Sequence, residues 1–196
     1  SNLILTIGQW VLEQACRDIY QLEQQGLPKC FEKIAVNVSA KQLIQHDFQE
    51  KVLNTIKQHE ICPNHLSLEL TENLLVENIE HTIEIISYLK TQKIDCAIDD
   101  FGTGYSSLTY LKRIPASVLK IDRSFVTNID KSKDSAAIAS MIISLAKTLE
   151  MKVLAEGVET QEELDCLKSL GCYDYQGFYF SKPIPFDEFV VLLATS

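Results

Sequence analysis

Six short strand-like runs, "KIAVN", "LSLEL", "IDCAIDD", "SVLKID", "KVLAE" and "YDYQG", recur along the chain, each too short for a helix and each carrying a polar residue at or next to its end. Between successive runs the apolar residues fall at helical spacing. Strands that alternate with helices in this way pair in parallel, so the pattern predicts an α/β fold built on a parallel sheet. The predicted helices run from Gly8 to Gln25, Phe48 to His59, Ile79 to Gln92, Leu108 to Lys112, Ser132 to Glu150 and Phe186 to Leu193. A further helix opens at Thr160, where Glu163 three residues on completes a capping box.

A chain of 196 residues with 46% hydrophobic content is long enough for one ordinary core, and no Gly/Ser/Pro-rich linker divides it. The 27 acidic residues outnumber the 18 basic ones, which argues against DNA or RNA as a broadly wrapped partner. No run approaches the roughly 20 apolar residues of a membrane helix, and the N-terminus carries no signal pattern, so a soluble chain is expected. The cysteines (Cys16, Cys30, Cys62, Cys96, Cys166 and Cys172) lack CxxC spacing and read as small core residues in a reducing cytoplasm. The histidines His46, His59, His65 and His81 fall away from strand ends and read as surface residues.

The informative residues are those at the ends of the runs: Asn37, Glu69, Asp99 with Asp100, Lys120 with Asp122, Glu156 and Gln176. Any one alone reads equally as a helix cap or a solvated loop residue. In a barrel of parallel strands, however, the C-terminal ends converge on one face, so these groups are expected to meet. Four carboxylates beside an amide carbonyl would repel one another unless cations neutralised them, and oxygen-only donors suit Mg²⁺ or Mn²⁺ better than zinc. Two such ions can clamp a phosphoryl group and acidify a water, which makes phosphoester hydrolysis the natural chemistry. A metal-dependent sugar-phosphate enzyme on the same barrel satisfies the same residues.

The stretches "VNVSAKQL", "LELTE", "IDDFGTGYSSLTYLKRIPASVLKIDRSFV", "AEGVET" and "QGFYFSKPIP" stand in the order and at the spacing of the EAL domain, and the resemblance covers nearly the whole chain. That family is the bacterial phosphodiesterase module that hydrolyses cyclic di-GMP to linear pGpG. The resemblance implies a (β/α)8 TIM-like barrel of EAL type, its first strand antiparallel, with about six of the eight strands present here. It implies Asn37, Glu69, Asp99, Asp100 and Glu156 as ligands of two Mg²⁺ or Mn²⁺ ions, with Asp99 shared, Ca²⁺ being inhibitory. Lys120 and Asp122, with Glu156, form the implied catalytic set that holds or activates the attacking water. Gln176 supports the site, and Glu159 anchors the loop after Asp100. That loop, with Gly102 and Gly104 free to adopt unusual backbone shapes, couples the site to a homodimer interface.

The namesake Glu-Ala-Leu triplet occurs nowhere in the 196 residues. Residues 1–196 are therefore expected to be one EAL domain lacking the N-terminal strands that carry the triplet, with activity impaired or absent in this chain. The alternative is a non-catalytic cyclic di-GMP receptor or dimerisation module. Flanking sensory or diguanylate cyclase domains are expected partners, and the setting is cytoplasmic, either free or as the cytoplasmic part of a larger membrane-anchored protein.

Overall fold

The computed structural model of the protein describes residues 3–77, 79–104 and 108–195. In chain order the elements are α1 (Leu3–Gln25), β1 (Ile34–Asn37), α2 (Ala40–Leu43), α3 (Phe48–Gln58), β2 (Leu66–Thr71), α4 (Glu72–Glu77), α5 (Ile79–Thr91), β3 (Asp95–Phe101), α6 (Leu108–Leu111), β4 (Val118–Ile121), α7 (Arg123–Val126), α8 (Lys133–Thr148), β5 (Lys152–Glu156), α9 (Gln161–Leu170), β6 (Asp174–Gln176) and α10 (Phe186–Thr195). Strand order follows chain order, and every described pairing is parallel. The alternation read from the sequence is thus the alternation found.

The chain divides into two compact units. It crosses between them at Leu70/Thr71 in β2, Ile79/Glu80 in α5, Cys96/Ala97 in β3 and Pro183/Ile184 in the segment before α10. The first unit comprises Ser1–Leu70, Glu80–Cys96 and Ile184–Ser196. Here β1 and β2 pair in the register Ile34↔Leu66 to Asn37↔Glu69, and α1 packs on β1 through a buried face that includes Leu12, Cys16, Ile19 and Leu22. Helix α1 begins at Leu3 rather than Gly8 and runs straight through that glycine. Gly8 is buried against α2 so closely that an added Cβ would fall 2.2 Å from the Gln42 side chain, which explains a residue otherwise unfavourable inside a helix.

The second unit comprises Thr71–Ile79 and Ala97–Pro183. Its strands β4 and β5 are covered by α8, whose buried face of Ala139, Ile142, Ile143 and Ala146 alternates small and branched side chains and so lets the helix lie close. Leu119, Ile121 and Ala155 are fully buried beneath it. Helix α9 starts with the predicted capping box: the Thr160 hydroxyl accepts from the Glu163 amide and the Glu163 carboxylate accepts from the Thr160 amide.

Of the cysteines, Cys16, Cys96 and Cys172 are buried, and burial pushes the thiols of Cys16 and Cys96 up to about 12 and that of Cys172 up to about 11. Cys30 and Cys62 are exposed, contrary to the core assignment, because "LPKCF" and "EICPN" are turns flanking strands rather than faces of an element. His65 also departs from the surface assignment: its Nδ1 lies 2.6 Å from Oε1 of Glu23, which in turn accepts the Cys62 amide at 2.9 Å.

Leu119 is fully buried on β4. Leu119→Ala should destabilise the protein by about 2–5 kcal/mol, read as a lower urea midpoint; a loss below about 1 kcal/mol would contradict a close-packed β4.

Candidate metal centre

Adjacent residues of a regular strand point to opposite faces, so neighbouring aspartates would not ordinarily share a site. The end of β3 departs from regular geometry. Its register against β4 runs Ile98↔Leu119, then slips before Phe101↔Ile121, leaving Asp99 and Asp100 within the irregularity. Asp100 adopts a φ of 53°, the left-handed region that aspartate tolerates better than most residues. Both carboxylates thereby gather with that of Glu156 at the end of β5: Asp99, Asp100 and Glu156 each offer an oxygen, all within 4.8 Å of one another.

Lys120 lies at the centre of this grouping. Its position on β4 between Leu119 and Ile121 buries the side chain to 3% exposure, and its Nζ lies 3.1 Å from Oδ1 of Asp99 and 2.6 Å from Oε1 of Glu156. The β5–β6 register places Glu156 opposite Gln176, whose amide Nε2 donates to Glu156 Oε1 at 2.8 Å. The Asp100 backbone N–H donates to Asp99 Oδ1 at 3.1 Å.

Burial, and then repulsion from Asp99 and Asp122, raise the Asp100 pKa above its ordinary value; the Lys120 ammonium opposes the rise, and a hydrogen bond to the Asp122 carboxyl adds to it. Asp122 is itself held as the N-cap of α7, where Oδ1 accepts from the Ser124 amide at 2.9 Å and from the Ser124 hydroxyl. The capping role and the place beside Asp100 are both present in this one residue.

The loop after Asp100 is tied down by a carboxylate that sequence reading missed. Glu72, only 2% exposed at the start of α4, accepts from the Gly102 amide at 2.8 Å and from the Gly104 amide at 3.2 Å through Oε2. Gly102 has a φ of 100°, and a Cβ there would lie 2.7 Å from the Phe125 ring, so the loop path requires glycine. Residues 105–107 of the loop lie outside the described residues.

Glu159, expected to anchor this loop, meets Arg123 Nη2 with its carboxylate and gives its amide to Glu163, and loop residues 105–107 that would test the anchoring lie outside the described residues. Glu72 follows Glu69 by three residues at a helix start and reads in sequence as an N-terminal helix charge. The signal that would have singled it out is the glycine-rich loop, whose backbone N–H groups need an acceptor.

The structure therefore brings Asp99, Asp100, Lys120, Asp122, Glu156 and Gln176 together in the second unit. Asn37 and Glu69 are register partners in the first unit, Asn37 at the end of β1 and Glu69 two residues before the end of β2, and the Val38 amide donates to the Glu69 carbonyl at 2.9 Å. As a donor set, Asp99, Asp100 and Glu156 suit a hard divalent cation: all offer oxygen, and one ammonium faces three carboxylates. Burial is the larger cause of the raised Asp100 pKa, and the repulsion from Asp99 and Asp122 that adds to it is what a cation would relieve.

The EAL domain family model matches residues 1–183. The bifunctional diguanylate cyclase/cyclic di-GMP phosphodiesterase MucR of Pseudomonas aeruginosa is 41% identical over 194 residues, which are 99% of this chain and 28% of MucR. The cyclic di-GMP phosphodiesterase NbdA of the same organism is 40% identical over 94% of this chain and 23% of its own length. The chain thus spans about a quarter of the length of these relatives. Among solved structures, the cyclic di-GMP complex of the PaMucR phosphodiesterase superposes with a TM-score of 0.91 at 42% identity, covering 96% of this chain and 75% of that one. The manganese/cyclic di-GMP complex of Klebsiella pneumoniae BlrP1 superposes at 0.76 and 28% identity, covering 89% of this chain and 45% of that one. The α/β fold, with its six parallel strands, is that of these TIM-barrel-like structures, and the chain belongs to the EAL domain family.

Proposed function

We propose that this chain is the EAL module of a metal-dependent phosphodiesterase that hydrolyses cyclic di-GMP to linear pGpG. The observation that carries the reading is the convergence of Asp99, Asp100 and Glu156, with oxygens within 4.8 Å, beside the buried Lys120 ammonium. Asp99, Asp100 and Glu156 would hold Mg²⁺ or Mn²⁺, with Asp99 shared between two ions. The family resemblance adds Asn37 and Glu69 as ligands. When bound, the ions supply charge neutralisation at the phosphodiester and a more acidic water.

The chain's own residues do the remaining work. Lys120 holds the attacking water through an ammonium N–H and keeps Asp99 and Glu156 in place. Asp122, fixed as a helix cap, takes up the water's proton. Gln176 orients Glu156 by donating to it. Ca²⁺ should bind and support turnover poorly, because its looser geometry misplaces the water.

Among the described residues no helix is long and apolar enough to cross a membrane. The proposed setting is the cytoplasm, in keeping with the free cysteines. Exposed Leu108 and Tyr110 on α6, next to the glycine-rich loop, support a proposed homodimer through that helix. Flanking sensory or diguanylate cyclase domains are proposed by analogy with MucR, whose name joins both activities.

Incubation with cyclic di-GMP and Mn²⁺, for this chain and for a version extended upstream, tests the reading. Linear pGpG from the extended form is the expected result. Binding without hydrolysis by both would favour a receptor, and no binding by either would overturn the assignment. In a hydrolysing form, Asp99→Ala should lower turnover by more than about a hundredfold, the upper end for losing even a partner of a metal ligand.

A second prediction concerns pH. Because the folded-state pKa of Asp100 is raised, its contribution to stability is present below the ordinary carboxylate pKa and is lost as pH rises through the raised value. Asp100→Asn should therefore raise the metal-free Tm at pH 7, and this gain should fade as the pH falls into the ordinary carboxylate range. A lower Tm for the variant in EDTA at pH 7 would contradict the charge balance described.

A further inference from the structure

Glu163 is a buried carboxylate, 4% exposed, whose oxygens are occupied by backbone rather than by a metal site. Oε1 accepts from the Asn128 amide at 2.8 Å, and Oε2 accepts from the amides of Glu159 at 2.8 Å and Thr160 at 3.2 Å. A capping box needs only the last of these bonds. The other two reach outside the helix.

Asn128 stands in the turn that follows α7, with a φ of 56°, and α7 begins at its cap Asp122. Glu159 stands three residues past Glu156. Glu163 thus joins the segment leaving Lys120 and Asp122 to the segment leaving Glu156. The Arg123–Glu159 ion pair joins the same two segments at the surface. Val158, between Glu156 and Glu159 in the chain, gives its amide to the Gln176 carbonyl at 3.1 Å and takes the Tyr179 amide at 3.0 Å, so the β5 segment is also fixed to the end of β6.

We infer that Glu163 is a positioning residue: its buried carboxylate fixes the loop after β5 against the turn after α7 and so sets Glu156 relative to Lys120 and Asp122. The catalytic consequence rests on the metal-dependent reading proposed above; the positioning itself does not. Bonds from backbone N–H groups to an ionised carboxylate are among the stronger hydrogen bonds, and losing the acceptor leaves buried donors unsatisfied. Glu163→Gln keeps the size and one acceptor oxygen but turns an amide N–H₂ toward backbone donors.

The test compares Glu163→Gln and Glu163→Ala with Thr160→Ala, which removes the hydroxyl that accepts from the Glu163 amide at 3.2 Å and leaves the carboxylate in place. Amide hydrogen exchange at Asn128 and Glu159, and titration of the chain with Mn²⁺ alone, are read well below each variant's Tm. The Glu163 variants should exchange faster at both amides and bind Mn²⁺ about tenfold or more weakly, the size of effect seen when a partner of a metal ligand is lost. Thr160→Ala should lower the Tm with neither change. Unchanged exchange at Asn128 in the Glu163 variants, or both effects reproduced by Thr160→Ala, would reduce Glu163 to a helix cap and overturn the inference. Wild-type chain that takes up no Mn²⁺ would overturn the metal reading instead, and the exchange comparison would then decide the positioning role by itself.

Discussion

A full positive charge lies buried on a β-strand, and the second unit is arranged around it. The Lys120 ammonium has Asp99 at 3.1 Å and Glu156 at 2.6 Å, the first from β3 and the second from β5. Removing one partner of a buried charge pair typically costs about 3–5 kcal/mol, because the other charge stays buried without compensation. The pairing therefore constrains register. A one-residue slip of β4 would turn Lys120 to the opposite face and replace it with Leu119 or Ile121. The register Lys120↔Leu154 and Ile121↔Ala155 keeps the ammonium level with the end of β5, while the irregularity after Ile98 carries both aspartates to the same place.

Two other buried carboxylates do different work. Glu72 and Glu163, 2% and 4% exposed, face backbone N–H groups of loops that follow β3 and β5. An ionised carboxylate offers several lone pairs, so one side chain satisfies two or three loop amides and fixes the loop's path. The carboxylates of this chain thus have distinct physical uses: pairing with the buried Lys120 ammonium at the strand ends, and accepting from the backbone of the loops beside them.

The alternation of strands and helices was legible because it is written in short-range periodicity, and the capping box at Thr160 and Glu163 because its two residues stand at fixed spacing. Lys120 was legible as a buried charge because it interrupts an apolar run. The meeting of Asp99 with Glu156 followed from parallel topology. What sequence could not supply were long-range pairings. Glu72 lies 30 residues from Gly102, and Arg123 lies 36 from Glu159, so neither pairing leaves a local pattern. The backbone turn at Asp100 that lets adjacent aspartates share one site is likewise a product of the sheet, since no glycine marks it. Three of the four crossings between the two units fall inside β2, α5 and β3, where no loop composition marks them.

The central claim is that the carboxylates at the strand ends are kept together by a cation, the Lys120 ammonium and a divalent ion sharing that task. Thermal unfolding of Lys120→Met, with EDTA and with saturating Mn²⁺, tests it most directly. The predicted result is a Tm well below wild type in EDTA, with Mn²⁺ raising the variant's Tm by more than it raises that of wild type. An equal Tm deficit in both conditions, or none in EDTA, would contradict it.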